Sequence, residues 1–454
     1  MNAGDTAWVL VSAALVMLMT PGLAFFYGGM VWAKSVLNML MMSFIALAVV
    51  SVLWVLYGYS LAFGDDVGGG LLGGLDFVGL GNTVGRLVGV AATDPNTPWV
   101  DGHQIPHLVF VVFQLMFAVI TCALISGAIA DRARFWAWTI FVAVWATIVY
   151  FPVAHWVFDF DGVTGTDFAG GWIANNLGAL DFAGGTAVHI NAGAAALALV
   201  LVLGRREGWP REPMRPHNLP FVLLGAGLLW FGWYGFNAGS ALGAGDLAGV
   251  AFVTTTAATG AAILGWLVVE QVRDGKPTTL GAASGAIAGL VAITPACGYV
   301  SPLGALAIGV VAGVLCSLAV GLKYKLGYDD SLDVVGVHLV GGLVGTLLIG
   351  FFATTSVNSA GKDGLFYGGG IDLLGKQALA AVAVFGYSFA LTLIIAFVIQ
   401  KTIGFRVSAD AEATGIDEAE HAESGYEFSG PRGGSSLRRT VDVLAHKVSA
   451  NREG

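Results

Sequence analysis

Charge is scarce in this chain. Only 11% of its 454 residues are Asp, Glu, Lys or Arg, against about 25% in soluble globular domains. A surface wetted on all sides cannot be made from so few, which excludes an ordinary soluble protein. Positive charge is scarcer still, with 21 Lys and Arg against 30 acids, and no nucleic-acid partner is expected. The formal net charge of −9 is partly a tail effect, because Asp410 to Glu427 holds seven acids and no Lys or Arg. Cysteine is limited to Cys122, Cys297 and Cys316, odd in number and set in or beside apolar runs. That excludes a disulfide framework and leaves small core residues. No HExxH, Walker A or GxSxG string occurs, so neither an enzyme nor a metal or cofactor is expected. The N-terminus lacks a basic n-region and a small-residue cleavage site, so its apolar run reads as a retained helix.

What is abundant is apolar. Hydrophobic residues make up 56% of the chain and mean hydropathy is +0.78. The 66 glycines follow no collagen period and are interleaved with Ala, Leu and Val, as in closely packed transmembrane helices. Runs long enough to cross about 30 Å of hydrocarbon lie near 7–29, 37–63, 107–130, 135–157, 182–204, 219–241, 248–271, 280–296, 302–321, 332–354 and 377–400. Gly281, Gly285 and Gly289 form a close-approach face on the eighth. The chain is therefore read as an all-α polytopic membrane protein of eleven transmembrane helices.

An odd helix count puts the termini on opposite sides. Alternate loops carry Lys34, Arg132, Arg134, Arg205, Arg206, Arg211, Arg215, Arg273, Lys276, Lys323, Lys325, Lys401 and Arg406; the opposite loops carry only Arg86, Lys362 and Lys376. The positive-inside bias places the N-terminus outside and the C-terminus in the cytoplasm of a plasma membrane. If helices 1–5 and 6–10 are repeats, five helices each force inverted topology, with helix 11 added and a site at the repeat interface. Residues 1–403 then form the membrane domain and 404–454 a cytoplasmic tail.

Two histidines stand out inside apolar segments. His189 lies in DFAGGTAVHINAGAAALALVLVLG and His338 in DVVGVHLVGGLVGTLLIGFF. An ionisable group in hydrocarbon costs several kcal/mol and normally faces a bundle interior or a substrate path. At about 1.5 Å per residue they sit about 12 Å from the outer face and about 10 Å from the inner one. In a core of about 30 Å they can meet near the midplane, where imidazoles can pass a proton or hold a small polar solute.

The strings FQLMFAVITCALISGAIADR, DFAGGTAVHINAG, GWYGFNAGSA, GAIAGLVAITPACGY and DVVGVHLVGG, with PGLAFFYGGMV and PHNLP, closely resemble the Amt ammonium transporters of the Amt/Mep/Rh family. The likeness runs in order from residue 7 to about 405. It implies a channel or transporter for ammonium or ammonia. By that resemblance Phe117 and Phe236 match paired gate phenylalanines, and Phe113 and Ser240 match an outer site that recruits ammonium. Trp233 matches a lumen tryptophan, and His189 with His338 the twin histidines that hold deprotonated ammonia. An aromatic face attracts a cation by about 0.5–2 kcal/mol, and a hydroxyl oxygen accepts from N–H. Asp181 matches an outer aspartate, which either acts on a cation through its field or caps helix 5. Asp333 matches a cytoplasmic aspartate, read here as a helix cap. Where many members place an outer-site Trp, this chain has Phe158. Trp156 and Trp172 are candidates to supply the missing indole.

Gly404 to Tyr426 resembles the family's cytoplasmic tail, with Ala422 where the family often has Gly. The resemblance implies a homotrimer and docking of a PII-type signalling protein. The last residues, from Gly430, read as a Gly/Ser linker and a short helical period. An ammonium sensor signalling through its tail is the alternative. Against it stand the complete Phe pair, Ser240 and both histidines, and a tail too short for an added signalling domain. An intramembrane zinc enzyme is the third reading, and no third ligand at useful spacing accompanies the histidines.

Overall fold

The computed structural model describes residues 1–89, 104–212 and 214–426. Part of the long loop between the second and third helices, and the linker from Gly430 onward, lie outside the described residues. Among those described, ten helices are long and apolar enough to span a bilayer: α1 Ala3–Met30, α2 Ala33–Phe63, α3 His107–Ile129, α4 Phe135–Phe158, α5 Gly185–Leu203, α6 Leu219–Gly239, α7 Asp246–Asp274, α9 Pro302–Leu326, α10 Val335–Phe352 and α11 Asp372–Thr402. The shorter apolar helix Thr279–Ile293, here α8, lies between α7 and α9. This is an all-α polytopic membrane fold. Several helices outrun their hydropathy-based limits, α11 by five residues at its start. Hydropathy marks only the part immersed in hydrocarbon, whereas the helix continues through polar residues such as Asp372 and Lys376, which pair at 2.8 Å.

Small residues set the packing. A Cβ on Gly289 would fall 2.6 Å from the Ala262 Cβ, and one on Gly285 2.9 Å from the Trp266 Cβ. The glycine face of α8 thus lies against α7. A Cβ on Gly225 would stand 2.2 Å from the Phe26 nitrogen, so α6 and α1 meet backbone to backbone. All three cysteines are free and buried.

Two helices begin irregularly. α5 opens with a π turn over Gly185–Ile190 and α10 with one over Val335–Leu339. Each wide turn carries one of the buried histidines. Asp181 accepts from the N–H groups of Gly184, Gly185 and Thr186, each at 2.7 Å. At the other helix Asp330 plays this part, accepting from Val334 at 3.1 Å and Val335 at 2.7 Å. Asp181 and Asp330 both stand eight residues before their histidine.

Asp333 is therefore not the cap the sequence suggests. Its backbone is left-handed, with φ 64°, and its carboxylate is turned to Lys323 Nζ at 2.6 Å. The buried Asp330 takes the free N–H groups instead.

The tail folds back on the face where α2 and α4 begin. Asp417 accepts from the N–H groups of Leu37 and Asn38 at 2.9 and 2.8 Å, and Glu420 from that of Phe135 at 3.0 Å. Asp417 and Glu420 of the acidic tail are thus helix caps. The tail helix Ile416–His421 ends on Ala422 at φ 54°, a conformation that costs an L-residue about 1–2 kcal/mol. Ala422→Gly is expected to tighten this segment, slowing amide exchange over residues 416–421 by roughly fivefold. Unchanged exchange would show that the turn carries no such cost.

Candidate functional site

The site is built along α3, α5, α6 and α10. On the outer side a recess with room for roughly four water-sized solutes is lined by Phe113, Phe117, Phe158, Asp181, Ser240 and, beyond the sequence candidates, Gln114. Phe160, Phe182, Tyr299 and Asn358 complete much of its wall. The Ser240 hydroxyl donates to the Phe236 carbonyl at 2.8 Å, so its oxygen lone pairs are left to accept from a solute. Gln114 is buried, and its Oε1 has no protein partner among the described residues.

The floor of the recess is a ring pair. Phe117 and Phe236 stack with centroids 4.1 Å apart and planes 15° from parallel. Phe113 meets Phe117 edge-on at 5.0 Å, and Phe158 does so at 5.9 Å. One-turn spacing on α3 and α6 brings these rings to one place, as the sequence suggests.

Behind the pair lie Trp233 and the histidines. The His189 ring stacks on Trp233 at 5.5 Å and on His338 at 5.4 Å. The Trp233 indole N–H donates to Thr294 Oγ1 at 2.8 Å, and Thr294 donates to the Leu290 carbonyl at 2.7 Å. This anchoring on α8 fixes the indole plane. The two imidazoles face each other through Nδ1 at 3.3 Å, so one nitrogen carries the proton that the other accepts. The shared proton couples their tautomers. His189 Nε2 is buried without a protein partner among the described residues. No third His, Cys, Asp or Glu joins the pair among the described residues.

Other candidates lie elsewhere. Trp156 does not reach the recess. Its N–H donates to the Leu71 carbonyl at 2.8 Å, and its ring packs on Trp172 and Tyr387. Alternate residues of a helix end face apart, and the loop at Leu71 captures the indole. Trp172 does not line the recess either, so the cation-facing surfaces there are phenyl and phenol rings. Asp333 sits at the opposite end, on Lys323. The Asp181 oxygens are occupied by helix N–H groups and the Thr186 hydroxyl, as a cap requires, while the residue itself forms part of the recess wall.

A second polar centre went unread in the sequence. Arg132, fully buried, donates to Asp329 at 3.2 Å and Ser331 at 2.8 Å, and Arg206 holds the same carboxylate at 2.8 and 2.9 Å. Three loops meet there, and spacing along the chain gives no sign of it.

A profile described as the Ammonium Transporter Family matches residues 7–426. A relative named ammonium transporter from Mycobacterium tuberculosis is 64% identical over 438 residues, covering 94% of this chain and 91% of the relative. The crystal structure of Saccharomyces cerevisiae Mep2 aligns with a TM-score of 0.81 at 36% identity, covering 95% of this chain and 93% of that one. A structure called Sensor Amt Protein aligns with a TM-score of 0.81 at 29% identity, covering 92% and 98%.

Proposed function

The chain belongs to the ammonium transporter family, and on that premise we propose that it carries ammonium nitrogen across the plasma membrane through this site. Ammonium is drawn into the outer recess by the faces of Phe113 and Phe158 and by the Ser240 oxygen. It gives up its proton there to water of the outer recess, and ammonia passes the Phe117–Phe236 pair. The dry lumen beyond offers His189 and His338 as partners, with Trp233 holding the first imidazole flat. The observation that carries this reading is the buried His189 Nε2, without a protein partner among the described residues, directly behind the stacked rings. Buried polar atoms are normally paired, and a passing ammonia supplies the missing partner.

The N-terminus lies outside and the tail in the cytoplasm, in keeping with the Lys and Arg distribution. Helices α1–α5 and α6–α10 are inverted repeats within a membrane domain of residues 1–403. The shared Asp–His spacing and the paired π turns support this. Residues 404–454 are a regulatory tail in a homotrimer, open to a PII-type signalling protein. The capping of α2 and α4 by Asp417 and Glu420 lets a partner that lifts the tail act on both helices. The alternative, a sensor, draws its support from the likeness to the Sensor Amt Protein.

The test is solid-supported-membrane electrophysiology on proteoliposomes, with ammonium and potassium pulses and a pH dye inside. A current or an internal pH change with ammonium alone is expected. Silence in both channels would favour the sensor. Phe is a weaker cation–π partner than Trp, so Phe158→Trp is expected to lower the half-saturating ammonium concentration about two- to fivefold. An unchanged value would remove the Phe158 ring from recruitment.

A further inference from the structure

The outer end of α4 carries a buried acid–imidazole–acid cluster that the proposed path does not use. His155, one turn before the helix ends, has no exposed side-chain surface. Its Nδ1 lies 3.1 Å from Asp159 Oδ2 and 3.2 Å from the Ala62 carbonyl. Its Nε2 lies 3.3 Å from Asp66 Oδ1. A ring with oxygen acceptors at both nitrogens is completed only by two protons, one on each.

The cluster is walled in. The Asp159 carbonyl accepts from Gly171 N–H at 2.8 Å and from Asn175 Nδ2 at 3.0 Å. A Cβ on Gly171 would stand 1.8 Å from the His155 carbonyl oxygen, so the outer loop is pressed against the helix end. Phe158 is one of the three residues between His155 and Asp159; its ring edge meets Phe117 and its tip lies 3.4 Å from a Cβ built on Gly184.

We propose that His155 and Asp159 form a proton-responsive positioning element for Phe158, setting the affinity of the outer recess for ammonium while leaving the maximal rate alone. This rests on the transport reading above. When Asp159 is ionised, its charge-assisted bond to His155 holds the turn that aims Phe158, and its negative charge lies next to the recess. Protonating it weakens the bond and removes the charge. Both effects lower cation affinity.

Burial pushes the Asp159 carboxyl up to about 7, against the opposing pull of its bond to His155 and of the imidazole charge; the charges of Asp161 and Asp65 raise it further. Burial also pushes Asp66 upward, but the N–H groups of Gly70 and Gly68 and the His155 contact outweigh it and hold that carboxyl below its ordinary value. Tyr59 of α2 faces Asp159 across the cluster and is bonded to His107 of α3 at 2.5 Å, with Arg86 beyond. Asp159 is thus placed to change charge around neutral pH.

The experiment is methylammonium uptake into proteoliposomes, with KM and maximal rate measured from about pH 8 to about pH 5.5. Methylammonium stays protonated throughout, so a change in KM belongs to the protein. The expected result is a KM about fivefold higher at the acid end, at constant maximal rate. Asp159→Asn should show the high KM at every pH, whereas Asp66→Asn should keep the pH response. A flat wild-type KM overturns the proposal without need of any variant. A normal pH response in Asp159→Asn, or its loss in Asp66→Asn alone, does so too. Normal uptake with a flat KM overturns this inference only; absence of uptake at every pH overturns the transport reading with it.

Discussion

Replacing His189 by alanine is expected to cut saturable methylammonium uptake by roughly 5- to 150-fold. That range is the rate equivalent of the ~1–3 kcal/mol lost when a buried polar group is left without a partner. Ammonia in a dry lumen has no water to fall back on. Removing the ring takes away both the free Nε2 and the Nδ1 that meets His338 at 3.3 Å. His338→Ala removes only the far partner, so its effect should be smaller than that of His189→Ala. Uptake within twofold of wild type in a folded His189→Ala protein would mean that the histidine pair is not on the path.

Asp329→Ala is expected to have the largest effect on stability. Its carboxylate lies between two buried guanidiniums, and Ala leaves Arg132 without its charge partner and Arg206 with only Asp131, at 3.4 Å. Breaking a buried pair by removing one member costs about 3–5 kcal/mol, and here one residue serves two arginines. The expected outcome is severe loss of detergent-stable protein, with a greatly lowered melting temperature in whatever remains. Burial pushes the Asp329 carboxyl up, but the Arg206 bond and the Arg132 and Arg206 charges hold it below its usual value. A lowered carboxyl stabilises above its unfolded pKa and loses that contribution only as pH falls through the folded value. The cluster should therefore hold unchanged across the neutral range in which Asp159 titrates. A melting temperature close to wild type for Asp329→Ala would show that the three loops do not depend on this clamp.

The spans were legible because a membrane imposes one strong rule, an apolar run of fixed minimum length, and eleven runs became eleven helices. The histidines were legible for the converse reason, since an imidazole in hydrocarbon breaks that rule. Phe117 and Phe236 could be named only through the family strings. Apolar spacing alone does not tell a gate from packing. Much of the site was less visible. The π turns under His189 and His338 leave no periodic mark over five or six residues, and Asp330 and Asp333 compete as caps within three positions. The left-handed backbone of Asp333, its pairing with Lys323 and the N–H groups that Asp330 accepts decide between them. Arg132, Arg206 and Asp329 come from three loops far apart in sequence. Trp156 and Phe158 are two residues apart, and the direction of each depends on the loop that packs on the helix end.

The most direct test of transport through this site is the initial rate of labelled methylammonium uptake into proteoliposomes, followed against methylammonium concentration and with competing ammonium. Uptake that saturates and is displaced by ammonium, well above the rate in protein-free vesicles, is the expected result. A rate that rises linearly, ignores ammonium and equals that of bare lipid would contradict it and leave the sensor as the better reading.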